Sequence, residues 1–436
     1  MTAQENQCYN PIMASPLYAD RNYRIFELPG REPLGLSGGD FVPIPEKDLV
    51  PLPDGSQLFV IRKGIAVTGR NGGQEYLERI GGKRIYPVAA FMPAGYTRTL
   101  LPAYVEKTEK PLLPLWSYTA VAWHRGKICG AAVRVAKNPK ADPELHSEAQ
   151  DRDLVKLVKA RLRQSPENRL LRQLGRCALE YHCFAAKNVF HQRWELPLPT
   201  SPACNSRCLG CLSLQEGECC ASQERINFVP TPQEIADIAI PHLQKAPVPI
   251  ASFGQGCEGE PLLQFRTIEK AIRLIRTETG RGTINLNTNA YSPERIRVLS
   301  RAGLQAIRIS LNSSLKTCYN AYYRPVNYKY IEVLKNIETS KLEGLYTNVN
   351  LLVFPGYTDR EQEAEGLVKL FGKTGVDVVQ MRNLSMDPWW YIREVPRPKG
   401  RAIGIRGLID LFRRELPGMR IDYFNTPAPR KNNMSS

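Results

Sequence analysis

The chain has 436 residues, 42% of them apolar, enough for two or three domains with a sizeable core, so disorder is not the default. Lys and Arg total 59 against 43 acidic residues, and this +16 excess is scattered, fitting either a basic solubilising surface or contact with nucleic acid, nucleotides or acidic cofactors. No run is long enough to span a bilayer and "MTAQENQCYNPIM" lacks the basic start and apolar segment of a signal peptide, so a cytoplasmic chain with reduced cysteines and no membrane partner is expected.

Residues 1–55 carry clustered prolines (Pro43, Pro45, Pro51, Pro53) and little periodicity, which predicts an extended arm wrapped on a domain. Residues 56–193 read as a β-rich then helical module. "SQLFVIRKGIAVTG" and "LWSYTAVAWHRGKICGAAVRVA" are apolar and β-branched, with "HRGK" as a hairpin turn. "DRDLVKLVKARLRQ" and "NRLLRQLGRCALEYHCFAAKNVF" space their apolar residues as helices do. From Trp194 the rhythm becomes strand–helix alternation over residues 194–384. The strand candidates are "ELPLPTS", "VPIASFGQ", "TINLNTNA", "AIRISLN", "TNVNLLVFP" and "DVVQMRNL". Six βα units in series imply a parallel sheet with right-handed crossovers, either open and doubly wound or curled into a barrel. Polar residues recur at the C-terminal strand ends, the rim where ligands bind in both architectures. Residues 385–436 form a C-terminal extension, with a helix in "IRGLIDLFRREL", a strand in "MRIDYFNT" and a loose tail in "PAPRKNNMSS".

After the first of these strands comes "SPACNSRCLGCLSLQEGECC", which holds five of the 11 cysteines. Cys204, Cys208 and Cys211 are spaced C-x3-C-x2-C, and Cys219 and Cys220 follow side by side. Three thiolates in one short loop suit iron–sulfur or zinc. A structural zinc site needs four closed ligands, and Cys219, Cys220 or a histidine can supply the fourth. A cubane cluster held by three cysteines instead leaves one iron open to chelate a further ligand. Adjacent residues rarely reach one ion together, so Cys219 and Cys220 read as part of a structural loop. His182 and His191 show no metal spacing.

After the second strand, "FGQGCEG" matches the dinucleotide fingerprint at Gly254, Gly256 and Gly259. That reading needs an acidic residue at the end of the next strand, which ends in Asn287, Thr288 and Asn289. Glu260 also places negative charge where a pyrophosphate should sit, whereas a carboxylate suits an ammonium group. Cys257 is read as a buried thiol, the alternative being a hydrogen-atom donor facing the site.

With these motifs in order, residues 194 to 384 resemble the radical S-adenosylmethionine (SAM) enzymes. Their cysteine signature reads "CNSRCLGC" here and their Gly-Glu motif reads "GCEGEPLL". "NTNA" and "SLNSS" resemble further parts of the SAM pocket. The resemblance implies an α/β fold, a partial (βα)6 radical SAM barrel preceded by the N-terminal β-rich plus helical module. It implies a [4Fe–4S] cluster on Cys204, Cys208 and Cys211, whose fourth iron holds the amino and carboxylate groups of SAM. It implies SAM contacts from Gly256, Gly259, Glu260, Asn287, Thr288, Asn289, Ser310 and Asn312, with Glu260 accepting from the amino group. Each of these polar residues is alternatively a cap on the following helix. The chain departs from many family members in placing Gly210, not an aromatic residue, before the third cysteine.

The implied reaction is reductive cleavage of SAM to methionine and a 5′-deoxyadenosyl radical, which takes hydrogen from RNA, a peptide or a metabolite. The implied partner is a reductant such as flavodoxin or ferredoxin. Gln380, Arg382 and Asn383, at the end of the last strand, are the substrate candidates. Arg382 is suited to a carboxylate or phosphate, or to a salt bridge with a neighbouring loop. Trp389 and Trp390 in "DPWWYIRE" plug the barrel against the N-terminal module or wall the substrate. No cysteine follows Cys318, which disfavours a C-terminal auxiliary cluster, and no cobalamin signature is present. The rival readings are a zinc- or cluster-stabilised nucleic-acid-binding protein and an electron-transfer iron–sulfur protein.

Overall fold

The computed structural model describes residues 14–108, 112–136, 151–215 and 219–429. The opening segment read for a signal peptide and the end of the tail lie outside the described residues. Among the described residues, no helix is long and apolar enough to cross a membrane.

The C-terminal half is one parallel sheet of seven strands: β1 (Glu195–Leu198), β2 (Ile250–Phe253), β3 (Thr283–Thr288), β4 (Ala306–Leu311), β5 (Tyr346–Val353), β6 (Val378–Asn383) and β7 (Arg420–Asp422). Their spatial order is their chain order. A doubly wound sheet must reverse direction at a switch point, and this one never does. Right-handed crossovers without a reversal keep every helix on one face, so the sheet curls into a partial barrel. "MRIDYFNT" supplies the seventh strand, one more than the six expected βα units.

The alternation along each strand separates two faces. Ile284, Leu286, Ile307, Ile309, Val349, Leu351, Val379 and Met381 are fully buried against the helices. The other face carries Asn285, Asn287, Arg308, Ser310, Asn348, Asn350, Gln380 and Arg382. Register stacks them in layers: Asn287 beside Arg308 beside Asn348, and Ser310 beside Asn350 beside Gln380. The lumen is therefore polar. β1 and β7 do not pair, and the chain after β7 bridges them. Gln380 donates to Asn425 Oδ1 (2.9 Å), and Asn425 donates to Glu195 Oε1 (2.6 Å). Ala428 N then reaches Thr283 Oγ1 (3.0 Å), at the start of β3.

The N-terminal half is antiparallel. Thr119–His124 and Lys127–Arg134 form the expected hairpin, with Arg125 and Gly126 both at positive φ (51° and 77°), as a two-residue turn requires. Residues 1–55 differ from the expected arm. Ser15–Ala19 pairs with Tyr86–Phe91, Thr119–His124 and Ile25–Glu27, inside an eight-stranded sheet. The Pro-rich stretch still pairs because its strands are short and their prolines fall at strand ends, as in Leu49–Pro51 and Asp40–Pro43. Helices Leu154–Gln164, Arg169–Leu179 and Phe184–His191 then lead into β1. The run read as one helix is two, because the chain turns at His182, whose φ is +49°.

The module docks on the rim of β5 and β6. Gly38 N donates to Pro355 O (3.0 Å), Thr97 Oγ1 to Met381 O (2.7 Å), and Arg98 Nη2 to Leu384 O (2.6 Å). Arg98 is fully buried, and burial lowers its pKa to about 9.

Candidate functional site

The cysteine loop leaves the C-terminal end of β1 and is fixed from both flanks. Glu258 is buried and accepts five hydrogen bonds: from Thr200 N (2.8 Å), Thr200 Oγ1 (3.1 Å), Ser201 N (3.0 Å), Gly254 N (2.7 Å) and Gln255 N (2.8 Å). One carboxylate thus ties the loop after β1 to the loop after β2. Burial pushes its pKa up to about 7 against the pull of those donors.

Gly259 continues the same seam. Its N–H donates to Ser201 O (2.6 Å), and Glu260 N donates to Ala203 O (2.9 Å). A Cβ on Gly259 would lie 1.9 Å from Ala203 O, so only glycine fits. The sequence assigned this glycine to close approach of a ligand, but the close approach is to the cysteine loop itself. At Gly256 a Cβ would crowd the Gln223 side-chain amide (2.9 Å), the end of a flexible chain, and touch Leu212 Cδ1 at an ordinary 3.5 Å.

Glu260 is also buried, and its carboxylate accepts from Leu262 N (2.9 Å), Thr288 Oγ1 (2.5 Å) and Asn289 N (2.9 Å). A carboxylate has about four acceptor sites, so one direction stays open for an ammonium donor. Burial raises its pKa to about 7. Asn289 Nδ2 donates to Asn205 Oδ1 (2.8 Å) and Ser206 Oγ (3.2 Å), carrying the lacing from β3 into the cysteine loop. Asn287 donates to Gly254 O (2.9 Å) and accepts from Asn285 (2.9 Å).

Thus Gly259, Glu260, Asn287, Thr288 and Asn289 come together with the cysteines in one hydrogen-bonded unit. Ser310 is part-exposed to the lumen. Asn312 lies just past β4 and its amide N–H donates to Cys318 O (3.1 Å) in the helix Lys316–Tyr323, whose first turn it does not cap. Asn383, expected on the substrate side, is engaged by the docked module. Its amide is held by Arg98 N (2.9 Å) and Tyr96 O (2.9 Å) in the docked module. Gln380 and Arg382 do face the lumen.

Cys204, Cys208 and Cys211 are part-exposed free thiols. Burial, then Glu260, push the Cys204 thiol up to about 11, and burial raises Cys208 well above the usual range. Arg225 Nη2 lies 3.3 Å from Cys211 Sγ, and Arg225 Nε donates to Ser213 (3.1 Å). The guanidinium thus stands against a sulfur that would bind metal. Among the described residues, no three His, Cys, Asp or Glu side chains converge on a point that could hold one metal ion. A cubane gives each thiolate its own iron, so three thiols on one loop need not converge on one point to hold it.

Beside the cysteines lies a cavity of about 850 Å3, a volume suited to a nucleoside-sized ligand. Its lining includes Cys208, Cys211, Tyr328 and Trp390, and the charged residues among it are all basic: Arg207, Arg225, Lys316, Arg324 and Lys329. Next to Gly210 stands Tyr322, buried in the helix after β4, whose hydroxyl would lie 3.0 Å from a Cβ at Gly210. An aromatic ring from another element thus fills the space beside the small residue. Cys257 is buried and pairs with the Cys177 thiol; that hydrogen bond and burial push its pKa well up, as for an inert thiol. Cys219 is buried and Cys220 exposed, with no disulfide between them. Trp389 donates to Tyr104 O (3.0 Å) as a plug against the module, while Trp390 walls the cavity.

Sequence reasoning missed Glu258, Arg225 and Arg308. Arg308 had a signal, since it stands two residues before Ser310 in "AIRISLN" and shares its face. Arg225 had none, because it lies 14 residues beyond Cys211 in a loop without periodicity.

The Radical SAM superfamily profile matches residues 198–368, which takes in the cysteine loop and β2 to β5. No curated protein matches the chain. Among solved structures, native anSMEcpe with bound AdoMet aligns at 19% identity and a TM-score of 0.36, over 44% of this chain and 52% of that one. The FeFe-hydrogenase maturase HydG from Carboxydothermus hydrogenoformans aligns at 13% identity and 0.36, over 62% and 70%. A radical SAM methyltransferase from Sphaerobacter thermophilus aligns at 14% and 0.38, over 52% and 64%. The chain spans about half the length of the anSMEcpe structures it matches. Likenesses this loose assign neither substrate nor reaction. The profile match takes in the laced cysteine loop, and residues 198–368 are those of this chain that match the radical SAM superfamily.

Proposed function

We propose that the protein is a radical SAM enzyme of the cytoplasm, reduced by a flavodoxin or ferredoxin, acting on a substrate held in and above the barrel lumen. The observation that carries this reading is the seam joining the cysteine loop to the Gly-Glu loop, in which Glu258, Gly259 and Glu260 fix both to one another. Cys204, Cys208 and Cys211 would hold a [4Fe–4S] cluster, with Arg225 donating to the sulfur of Cys211. With SAM bound, the cluster supplies a reductively generated 5′-deoxyadenosyl radical. Glu260 would accept from the ammonium of SAM through its free acceptor direction, and Thr288 and Asn289 hold that carboxylate in place. Gly256, Asn287, Ser310 and Asn312 complete the cofactor side, and Gln380 and Arg382 the substrate side. The docked module covers the rim of β5 and β6, keeping water from the reacting centre.

The test is anaerobic reconstitution with iron, sulfide and a reductant, followed by addition of SAM. The expected outcome is a brown protein that forms 5′-deoxyadenosine. Colourless zinc-loaded protein, or a full cluster complement that never yields 5′-deoxyadenosine, would overturn the reading.

A further inference from the structure

Two guanidinium groups share the barrel lumen, and neither forms an ion pair with a carboxylate among the described residues. Arg308 on β4 donates to Gln380 Oε1 (3.3 Å), and its Nε, buried, has no hydrogen-bond partner there. Arg382 on β6 donates to Tyr423 O (3.2 Å) and lies 4.6 Å over the Tyr423 ring. The two cations repel each other: burial, then Arg382, lower the pKa of Arg308 to about 10. Glu195 is the acid whose field reaches Arg308, and its Oε1 is already taken by Asn425. Beside the arginines, the Oδ1 atoms of Asn348 and Asn350 are buried without a partner among the described residues.

Keeping two like charges inside a protein without an ion pair to a carboxylate is costly. The rest of the lumen argues against a purely structural role. A stability-driven interior would place apolar residues on this face, as the outer face of the same strands does. Arginine is the side chain best matched to a planar or tetrahedral oxyanion, through paired N–H donors. The amide oxygens alongside would accept hydrogen bonds from donors on the same ligand. The docked module crosses the rim at β5 and β6, and the segment after β7 crosses below. A polymer cannot thread a lumen so enclosed.

We infer that Arg308 and Arg382 bind the anionic group, carboxylate or phosphate, of a small-molecule substrate anchored inside the barrel, with Asn348 and Asn350 accepting from its neighbouring donors. The inference rests on the radical SAM reading for the chemistry performed above that anchor. Arg308 belongs to the middle of its strand, while the cysteine loop and the Glu260 cluster lie past the strand ends. An anchor at that depth leaves the rest of the ligand reaching toward the rim.

The experiment is calorimetric titration of the anaerobically reconstituted, SAM-loaded enzyme with sodium phosphate, and separately with sodium succinate, at low ionic strength. Saturable binding of either is expected, and the one bound more tightly identifies phosphate or carboxylate as the group recognised. Arg308→Gln and Arg382→Gln should each weaken it by about tenfold or more, the loss expected for a charge-assisted hydrogen bond. Two variants on different strands guard against misfolding of either. Absence of saturable binding by the wild type, or unchanged affinity in both variants, overturns the inference. So does a parallel loss of SAM affinity, which would make the anion the carboxylate of SAM itself. Formation of 5′-deoxyadenosine is read in the same wild-type preparation. Anion binding without it supports the site and overturns the radical reading; 5′-deoxyadenosine without anion binding overturns the site alone.

Discussion

At Gly259 a single hydrogen atom decides whether the cysteine loop can lie where it does. The loop passes so close that an added methyl group would overlap Ala203 O at 1.9 Å and Cys204 N at 3.0 Å, both backbone atoms that cannot swing aside. Gly259→Ala should therefore displace the loop, at a cost of about 1–3 kcal/mol. Iron retained after reconstitution should fall well below wild type, as measured by iron content per chain. Gly256→Ala is the control, since the Gln223 amide can rotate away. Retention should then stay near wild type. Equal iron content in the two variants would show that the seam does not hold the loop.

The helix Glu361–Thr374 after β5 works through one buried acid. Glu363 accepts from Ser314 N (2.6 Å) and from the Ser313 hydroxyl, fixing the loop that follows β4. Burial raises its pKa to about 7. A folded-state pKa above the unfolded value means that unfolding releases a proton between the two. Its contribution is thus full below about pH 4.5 and is lost as pH rises through about 7. Urea unfolding of the apo-protein between pH 5 and 8 should show this loss, with a slope of at most about 1.4 kcal/mol per pH unit from one group. Glu363→Gln keeps an acceptor for Ser314 N and a donor for Ser313, and should flatten that slope. An unchanged slope would assign it to other buried acids, such as Asp359, which burial lifts to about 6.

The same elements explain what could be read in the sequence. The strands from "ELPLPTS" to "DVVQMRNL" were legible because each carries a short apolar run ending in polar residues, and the order of the motifs placed the cysteine loop. Partnerships across the chain were not legible. Glu258 was read only as part of a glycine-rich motif, although it joins the loops after β1 and β2. Asn383 resembled a substrate residue because strand ends usually carry them, but the docked module claims its amide. The proline-rich start looked like an arm because strands of three to five residues leave little periodic trace.

At the scale of the whole molecule, the two halves are joined by buried charge as well as by a shared core. Lys63 of the module lies 2.6 Å from Asp387 and 2.6 Å from Glu106, with side-chain exposures of 8%, 0% and 10%. Asp387 also accepts from Leu113 N (2.8 Å) and Trp389 N (3.0 Å), so it caps the helix Pro388–Glu394 and receives the module at once. Removing one partner of a buried pair strands the other charge, which typically costs about 3–5 kcal/mol. Lys63→Met should show a loss of that order in urea unfolding, because Asp387 would lose Lys63 and be left with backbone donors, Leu113 N and Trp389 N among them. Arg393 still serves Glu106, so that acid does not add a second stranded charge. Lys63→Met combined with Asp387→Asn should cost less than the two single changes together, since the charge left behind by the first is removed by the second. Additive losses, or a single-variant loss below about 1 kcal/mol, would mean that water screens the pair as it does at an exposed surface. The docking of the module over β5 and β6 would then depend on Thr97, Arg98 and Asn383 instead, whose hydrogen bonds to the strand ends involve no carboxylate.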